Sequence, residues 1–304
     1  MTLEDDFSDI LKKARMGQGL SVADVAQATG LAPEDIAALE RGRQPTASQI
    51  QAVASALGLS SAALKQNALD GWMPDPPPSW VEDGVRGVHM VLGDIGGYEV
   101  KGYVLYDSVL REAILIDTGY NPEAMLGYLD QRKLRLTAVG LTHGHADHAG
   151  GLDRILQRWQ VPVYLGEGDR GLLPWTPPGG LLRAPADGET ITVGRLVIRC
   201  LITPGHTPGG ICYRVELPEP PGRPGVCFVG DTLFAGSIGR ANPFSLYPKH
   251  LESVRTRVLT LPEDTVLFPG HGPATTVREE WTHNPFAPSQ TQRAVRRAGG
   301  QSNG

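Results

Sequence analysis

Apolar residues near the start of the chain recur at helical spacing. Phe7, Ile10, Leu11 and Ala14 fall at i, i+3, i+4 and i+7, which places them on one face of a helix. Ser21 with Asp24 forms a capping pattern ahead of Val25 and Ala26, so a second helix is predicted there and Gly30 breaks it. A third is predicted over about residues 32–40. Thr46 with Gln49 opens a fourth, through Ile50, Val53, Ala54 and Leu57, which stops at Gly58. Residues 1–66 therefore read as a compact helical unit. Residues 67–83 include Pro74-Asp75-Pro76-Pro77-Pro78, which resists helix and central strand alike and reads as a stiff linker.

From residue 84 the texture changes. Strand-like runs cover 85–92, 99–106, 113–116, 138–141, 196–201 and 226–229, with helical patterns at 122–132, 147–159 and 248–259. Strands mixed with helices imply a layered α/β body over 84–286. Residues 287–304 hold Arg293, Arg296 and Arg297, much Gly, Ser and Gln, and no acids, and read as a disordered tail.

One run carries metal chemistry: Thr142-His143-Gly144-His145-Ala146-Asp147-His148, between the strand 138–141 and a helix. Imidazole and carboxylate are the nitrogen and oxygen ligands of zinc and similar ions. His143 and His145, two apart in extended chain, can point the same way. Three more candidates each follow a strand into a Gly-rich turn: His206 in Thr203-Pro204-Gly205-His206-Thr207-Pro208-Gly209, Asp231 in Gly230-Asp231-Thr232, and His271 in Pro269-Gly270-His271-Gly272. A lone histidine after a strand is usually a surface residue. Four candidate ligands in one loop, followed by three more at strand ends, are not explained that way, and metal binding is the expectation.

These motifs resemble the metallo-β-lactamase superfamily over residues 84–286, which implies a four-layer αββα sandwich. The resemblance implies that His143, His145 and His206 hold one divalent metal ion and that Asp147, His148 and His271 hold a second, with Asp231 bridging. Zinc is the expected metal, with iron or manganese as alternatives. Asp117, in Ile116-Asp117-Thr118-Gly119, matches the superfamily's first motif, where it supports the site. Gly230-Asp231-Thr232-Leu233-Phe234, Ser237-Ile238-Gly239-Arg240 and His283-Asn284-Pro285-Phe286 resemble the glyoxalase II-like branch. That branch implies hydrolysis of a thioester such as an S-acylglutathione by a metal-bridging hydroxide, with Asp147 in a catalytic role and Arg240 binding substrate. Two departures weaken glutathione as the thiol: no helical domain follows Phe286, and Asn242-Pro243-Phe244-Ser245-Leu246-Tyr247 differs from the acidic, Gly-containing loop of those relatives. Persulfide dioxygenases share much of the pattern but use one iron held by two His and one Asp, which here match His143, His206 and Asp231.

The N-terminal helices resemble the lambda-repressor/Cro-like helix-turn-helix family, through Ser21-Val22-Ala23-Asp24-Val25-Ala26, Gly30-Leu31, Ile36, Leu39-Glu40-Arg41-Gly42 and Leu57-Gly58-Leu59. The resemblance implies DNA contact through residues 21–43, with Glu34, Arg41 and Arg43 as candidates, and a regulator with a metallo-β-lactamase-fold sensor domain is the second functional class. Charge argues against a strong DNA reader. Residues 1–66 carry six bases (Lys12, Lys13, Arg15, Arg41, Arg43, Lys65) and eight acids (Glu4, Asp5, Asp6, Asp9, Asp24, Glu34, Asp35, Glu40), so 6 − 8 = −2. A dimerisation or partner-binding module, and with it a homodimer, fits the same helices.

Composition adds bounds. The 304 residues carry a formal charge of −5, with 20% charged and 40% hydrophobic residues, as in an ordinary globular protein. No apolar run approaches a membrane span. The acidic start lacks a secretory pattern, so a cytoplasmic enzyme without membrane contact is expected. Cys200, Cys212 and Cys227 form no pair motif and are expected to be buried free thiols.

Overall fold

In the computed structural model, residues 2–76, 87–216 and 225–288 are described. Five helices come first: α1 (Phe7–Gly17), α2 (Val22–Thr29), α3 (Pro33–Leu39), α4 (Ala47–Leu57) and α5 (Ser61–Ala68). Ser21 and Thr46 cap α2 and α4 in reciprocal capping boxes with Asp24 and Gln49. A capping box at Asp6 and Asp9, not noticed in the sequence, opens α1. The fifth helix runs past residue 66 to Ala68, so the expected unit boundary falls inside it.

Two six-stranded sheets follow. The first is built in sequence order from β1 (Val88–Ile95), β2 (Tyr98–Asp107), β3 (Glu112–Ile116), β4 (Arg135–Gly140), β5 (Val163–Tyr164) and β6 (Leu182–Arg183). The second has the order β12-β11-β10-β9-β8-β7, from β7 (Thr190–Val193), β8 (Leu196–Ile202), β9 (Ile211–Glu216), β10 (Val226–Gly230), β11 (Val266–Pro269) and β12 (Thr275–Thr276). Ile114, Ile116 and Tyr103 from one sheet and Ile198, Tyr213 and Phe228 from the other share one buried cluster, so the sheets pack face to face. The outer face of the first sheet is covered by α6 (Pro122–Arg132) and α8 (Leu152–Arg158). The outer face of the second is covered by α9 (Tyr247–Ser253), which continues as a π-helical turn (Val254–Val258), and by α10 (Val277–His283). This is the four-layer αββα sandwich.

The single helix expected over 147–159 is two, α7 (Ala146–Ala149) and α8. Gly150 is extended and Gly151 sits at φ 80°, where a Cβ would also lie 2.5 Å from the Pro122 ring. The short helix α7, which carries Asp147 and His148, therefore ends at Ala149.

The helical unit shares its core with the sandwich. Phe7, Ile10, Leu11, Val25, Leu39 and Leu64 belong to the same buried cluster as Val229, Leu233, Val254 and Phe286. Docking is also polar: Ser60 N donates to Pro285 O at 2.9 Å, and Asn67 Nδ2 to Gly236 O at 2.9 Å. The described part of the expected linker lies against the body. Trp72 stacks on His283 at 4.4 Å, and Asp75 N donates to Glu279 Oε1 at 2.7 Å. Residues 77–83 of the linker and 289–304 of the tail lie outside the described residues, but Ala287, assigned to the tail, is buried in the shared core. All three cysteines are buried and free. Among the described residues no helix is long and apolar enough to cross a membrane.

Candidate metal centre

Each candidate ligand leaves a sheet at the same end. His143 and His145 follow β4, His206 follows β8, Asp231 follows β10 and His271 follows β11, while Asp147 and His148 come from α7. Their ligand atoms converge in three overlapping groups: His143, His145 and His206; His143, Asp147 and His148; and His148, Asp231 and His271. Within each group these atoms lie within 4.8 Å of one another. Asp231 reaches both sides, with Oδ1 3.2 Å from His148 Nε2 and Oδ2 3.5 Å from His206 Nε2 and 3.7 Å from His271 Nε2. Asp147 Oδ2 lies 3.3 Å from His271 Nε2.

The far side of the rings fixes what the near side can do. His206 Nδ1 faces Arg240 O at 2.7 Å and His271 Nδ1 faces Glu99 O at 2.7 Å. A carbonyl only accepts, so these Nδ1 atoms carry a proton, and Nε2 is the ring atom turned toward the cluster. His148 Nδ1 is held likewise by Asp117 Oδ2 at 2.8 Å. Asp117 sits at φ 55°, a left-handed turn after β3 that aims its carboxylate at Thr142 N, Thr142 Oγ1 and His148 together. Carboxylate–histidine pairs of this kind orient metal-binding rings.

Do these residues fit metal ions? His143 Nε2, His148 Nε2 and Asp231 Oδ1 are buried without a hydrogen-bond partner. His148 Nε2 and Asp231 Oδ1 lie 3.2 Å apart, and with His143 Nε2 they form a buried polar group that is costly unless a cation satisfies it. The electrostatics agree. Burial opposes charge on His148, yet Asp231 and Asp117 outweigh it and carry its pKa well above the ordinary value. At His143 burial dominates and the neighbouring rings add to it, holding the pKa well below. Burial drives His206 down to about 4. At Asp231 burial is overcome by His271 and His148, which hold the carboxyl ionised. The cluster therefore sets ionised carboxylates beside imidazole nitrogens, the donor set of a divalent transition metal. It fits.

Sequence reasoning missed Asp169. This residue lies in the short 3-10 helix Glu167–Leu172, is fully buried, and accepts from Gly144 N at 3.1 Å, Thr207 Oγ1 at 2.7 Å and Gly209 N at 2.6 Å. It ties the His143 loop to the His206 turn. No local pattern marks it, because its partners, two backbone amides and one hydroxyl, are distant in sequence. Also missed was the N-terminal wall of a cleft of about 800 Å³ whose floor includes Asp147, His206, Asp231 and His271. Arg240 lies on its rim, exposed, and its guanidinium makes no hydrogen bond or ion pair among the described residues. The candidate DNA contacts lie elsewhere, on α3 and the turn after it. Glu34 and Arg41 are exposed, and Arg43 is bonded to Asp35 at 2.8 Å.

The chain is 32% identical over 207 residues to the probable metallo-hydrolase YqgX of Bacillus subtilis, covering 63% of this chain and 94% of that one. It is 32% identical over 196 residues to the hydroxyacylglutathione hydrolase GloC of Haemophilus influenzae, covering 60% and 90%. Among solved structures, TTHA1623 in a di-iron-bound form superposes with a TM-score of 0.54 at 31% identity, over 64% of this chain and 99% of that one. A helix-turn-helix family model matches residues 11–64, and the model of the metallo-beta-lactamase superfamily matches residues 103–271. With more than half of its length matched by that model, the chain belongs to the metallo-beta-lactamase superfamily and carries a helix-turn-helix domain at its N-terminal end.

Proposed function

We propose that this protein is a dinuclear metal-dependent hydrolase that cleaves a thioester. The observation that carries the reading is Asp231, whose two oxygens approach imidazoles of both histidine groups. His143, His145 and His206 would hold one ion and Asp147, His148 and His271 the other, with Asp231 between them and Asp117 holding His148 in its tautomer. Zinc suits this nitrogen–oxygen set, and iron or manganese would also be accepted. Bound ions of this kind acidify water and polarise a carbonyl.

The chain's own groups supply the rest. Burial works against charge on Asp147, but the hydrogen bond with His271 and the charges of His148 and His271 together outweigh it and hold the carboxyl below its ordinary value. Asp147 lies on the cleft floor, where it can accept a hydrogen bond from the attacking water and orient it. Phe234, edge-on to His271 at 5.8 Å, walls the site with an apolar ring that keeps out bulk water. The thiolate of a thioester leaves without needing a proton, so this reaction asks no general acid of the cleft. The likeness to a hydroxyacylglutathione hydrolase supports a thioester over other acyl groups.

Metal analysis of the purified protein, followed by turnover of S-acyl thioesters on the same sample, tests the reading. Two metal equivalents and thioester cleavage are expected. One iron equivalent with oxygen uptake on a persulfide would overturn the hydrolase.

The helix-turn-helix domain is proposed to bind DNA with the exposed end of α3 and Arg41. Its net negative charge predicts weak, strongly salt-dependent binding. Retardation of DNA fragments at low salt is expected, and Arg41→Ala should weaken it several-fold on all sequences alike. A gel shift with no retardation at micromolar protein would reassign the module to dimerisation or partner binding.

A further inference from the structure

The first helix has two faces with different employment. Phe7, Ile10, Leu11 and Ala14 face the shared core, whereas Asp9, Lys12, Lys13 and Met16, at i, i+3, i+4 and i+7 on another face, line the cleft over the metal centre. This placement is fastened by specific contacts. Lys13 Nζ is ion-paired with Asp5, donates to Ile238 O at 2.8 Å, and lies 4.9 Å over the Phe234 ring. Asp5 also accepts from Ser237 Oγ at 2.5 Å. The helix thus grips the loop Ser237-Ile238-Gly239-Arg240, whose last carbonyl holds His206.

With Lys13 and Asp5 engaged in that clamp and Asp9 bonded to Asp6 N at 3.3 Å, two cations remain at the rim. Lys12 and Arg240 line the cleft, and neither side chain makes a hydrogen bond or ion pair among the described residues. Two acids of the rim have no ion-pair partner among the described residues: Asp9, on the same helix face as Lys12, and Glu4, which lies against Gly272, next to His271, whereas Arg240 stands across the cleft's lining on the loop whose carbonyl holds His206. We propose that the substrate site is composite, with Lys12 of the helix-turn-helix domain and Arg240 of the sandwich together binding a carboxylate on the thiol half of the substrate.

This inference rests on the thioester reading for the identity of that half, but its test does not require turnover. The probes are the thioether S-butyl-mercaptosuccinate and its dimethyl ester, titrated by calorimetry into the metal-loaded protein. The wild type should bind the dicarboxylate at least about tenfold more tightly than the diester, the scale of one charge-assisted contact. Lys12→Ala should erase that preference while leaving metal content and diester binding unchanged, and Lys12→Arg should keep it. Undiminished dicarboxylate binding by Lys12→Ala, or no preference in the wild type, overturns the proposal. A preserved preference without cleavage of any thioester would sink the thioesterase reading and leave the composite site standing.

Discussion

Asp231→Ala is expected to purify with less than half of the wild-type metal content and to lose turnover by roughly a thousandfold or more, the scale on which one preorganised electrostatic group contributes to a rate. Asp231 is the carboxylate that approaches His148, His206 and His271 at 3.2, 3.5 and 3.7 Å. Without it, three imidazoles face one another with less negative charge to offset a second cation. Thermal unfolding gives an independent readout. An ion present at a thousand times its Kd stabilises the folded state by about 4 kcal/mol, so a chelator should lower the wild-type melting temperature clearly. The variant has little bound metal to lose, and its melting temperature should hardly respond. If Asp231→Ala keeps two equivalents of metal and the chelator response of the wild type, Asp231 is not the bridging group.

The sequence carried the centre because its chemistry is concentrated. Histidine is scarce, eight residues in the chain, and five of them fall in Gly-rich turns after strands, so the cluster was legible before any coordinates. The helical periodicity of Phe7 to Ala14 and the capping residues at Ser21 and Thr46 were equally local, and they placed α1, α2 and α4 to within a residue or two. Short strands were not legible. The two-residue strands β5, β6 and β12 exist because neighbours offer unpaired backbone groups, and two residues show no alternation to read. The docking of the linker was not legible for a related reason. Its prolines do exclude helix and central strand, but nothing in a local pattern foretold that Trp72 would find His283 and Asp75 would cap against Glu279. Composition detects stiffness, not docking. The same blindness hid the cleft-lining face of α1, since Asp9, Lys12, Lys13 and Met16 read as an ordinary solvated stripe until a second surface is placed against them.

Asp169→Ala should cost about 3–5 kcal/mol of folding stability in the metal-free protein, although Asp169 touches none of the candidate ligands' donor atoms. Its carboxylate takes the Gly144 and Gly209 amides and the Thr207 hydroxyl, all in buried surroundings. Each buried donor left without a partner costs about 1–3 kcal/mol. Replacement partners are hard to recruit, because the packing is tight. A Cβ at Gly144 would lie 2.8 Å from Asp169 O, and one at Gly209 would lie 2.7 Å from Asp169 N, so the three backbone segments already meet with no side chain between them. Asp169→Asn keeps one carbonyl oxygen in place and can donate to Thr207, and should lose roughly half as much. Both variants loosen the link between the His143 loop and the His206 turn, so metal affinity should fall about 10–100-fold, as for other groups that orient ligands from behind. Urea unfolding of the apo proteins and metal titration of the folded ones separate the two effects. A stability loss below 1 kcal/mol for Asp169→Ala would show that the amides find other acceptors and that the two ligand loops are held together by packing alone.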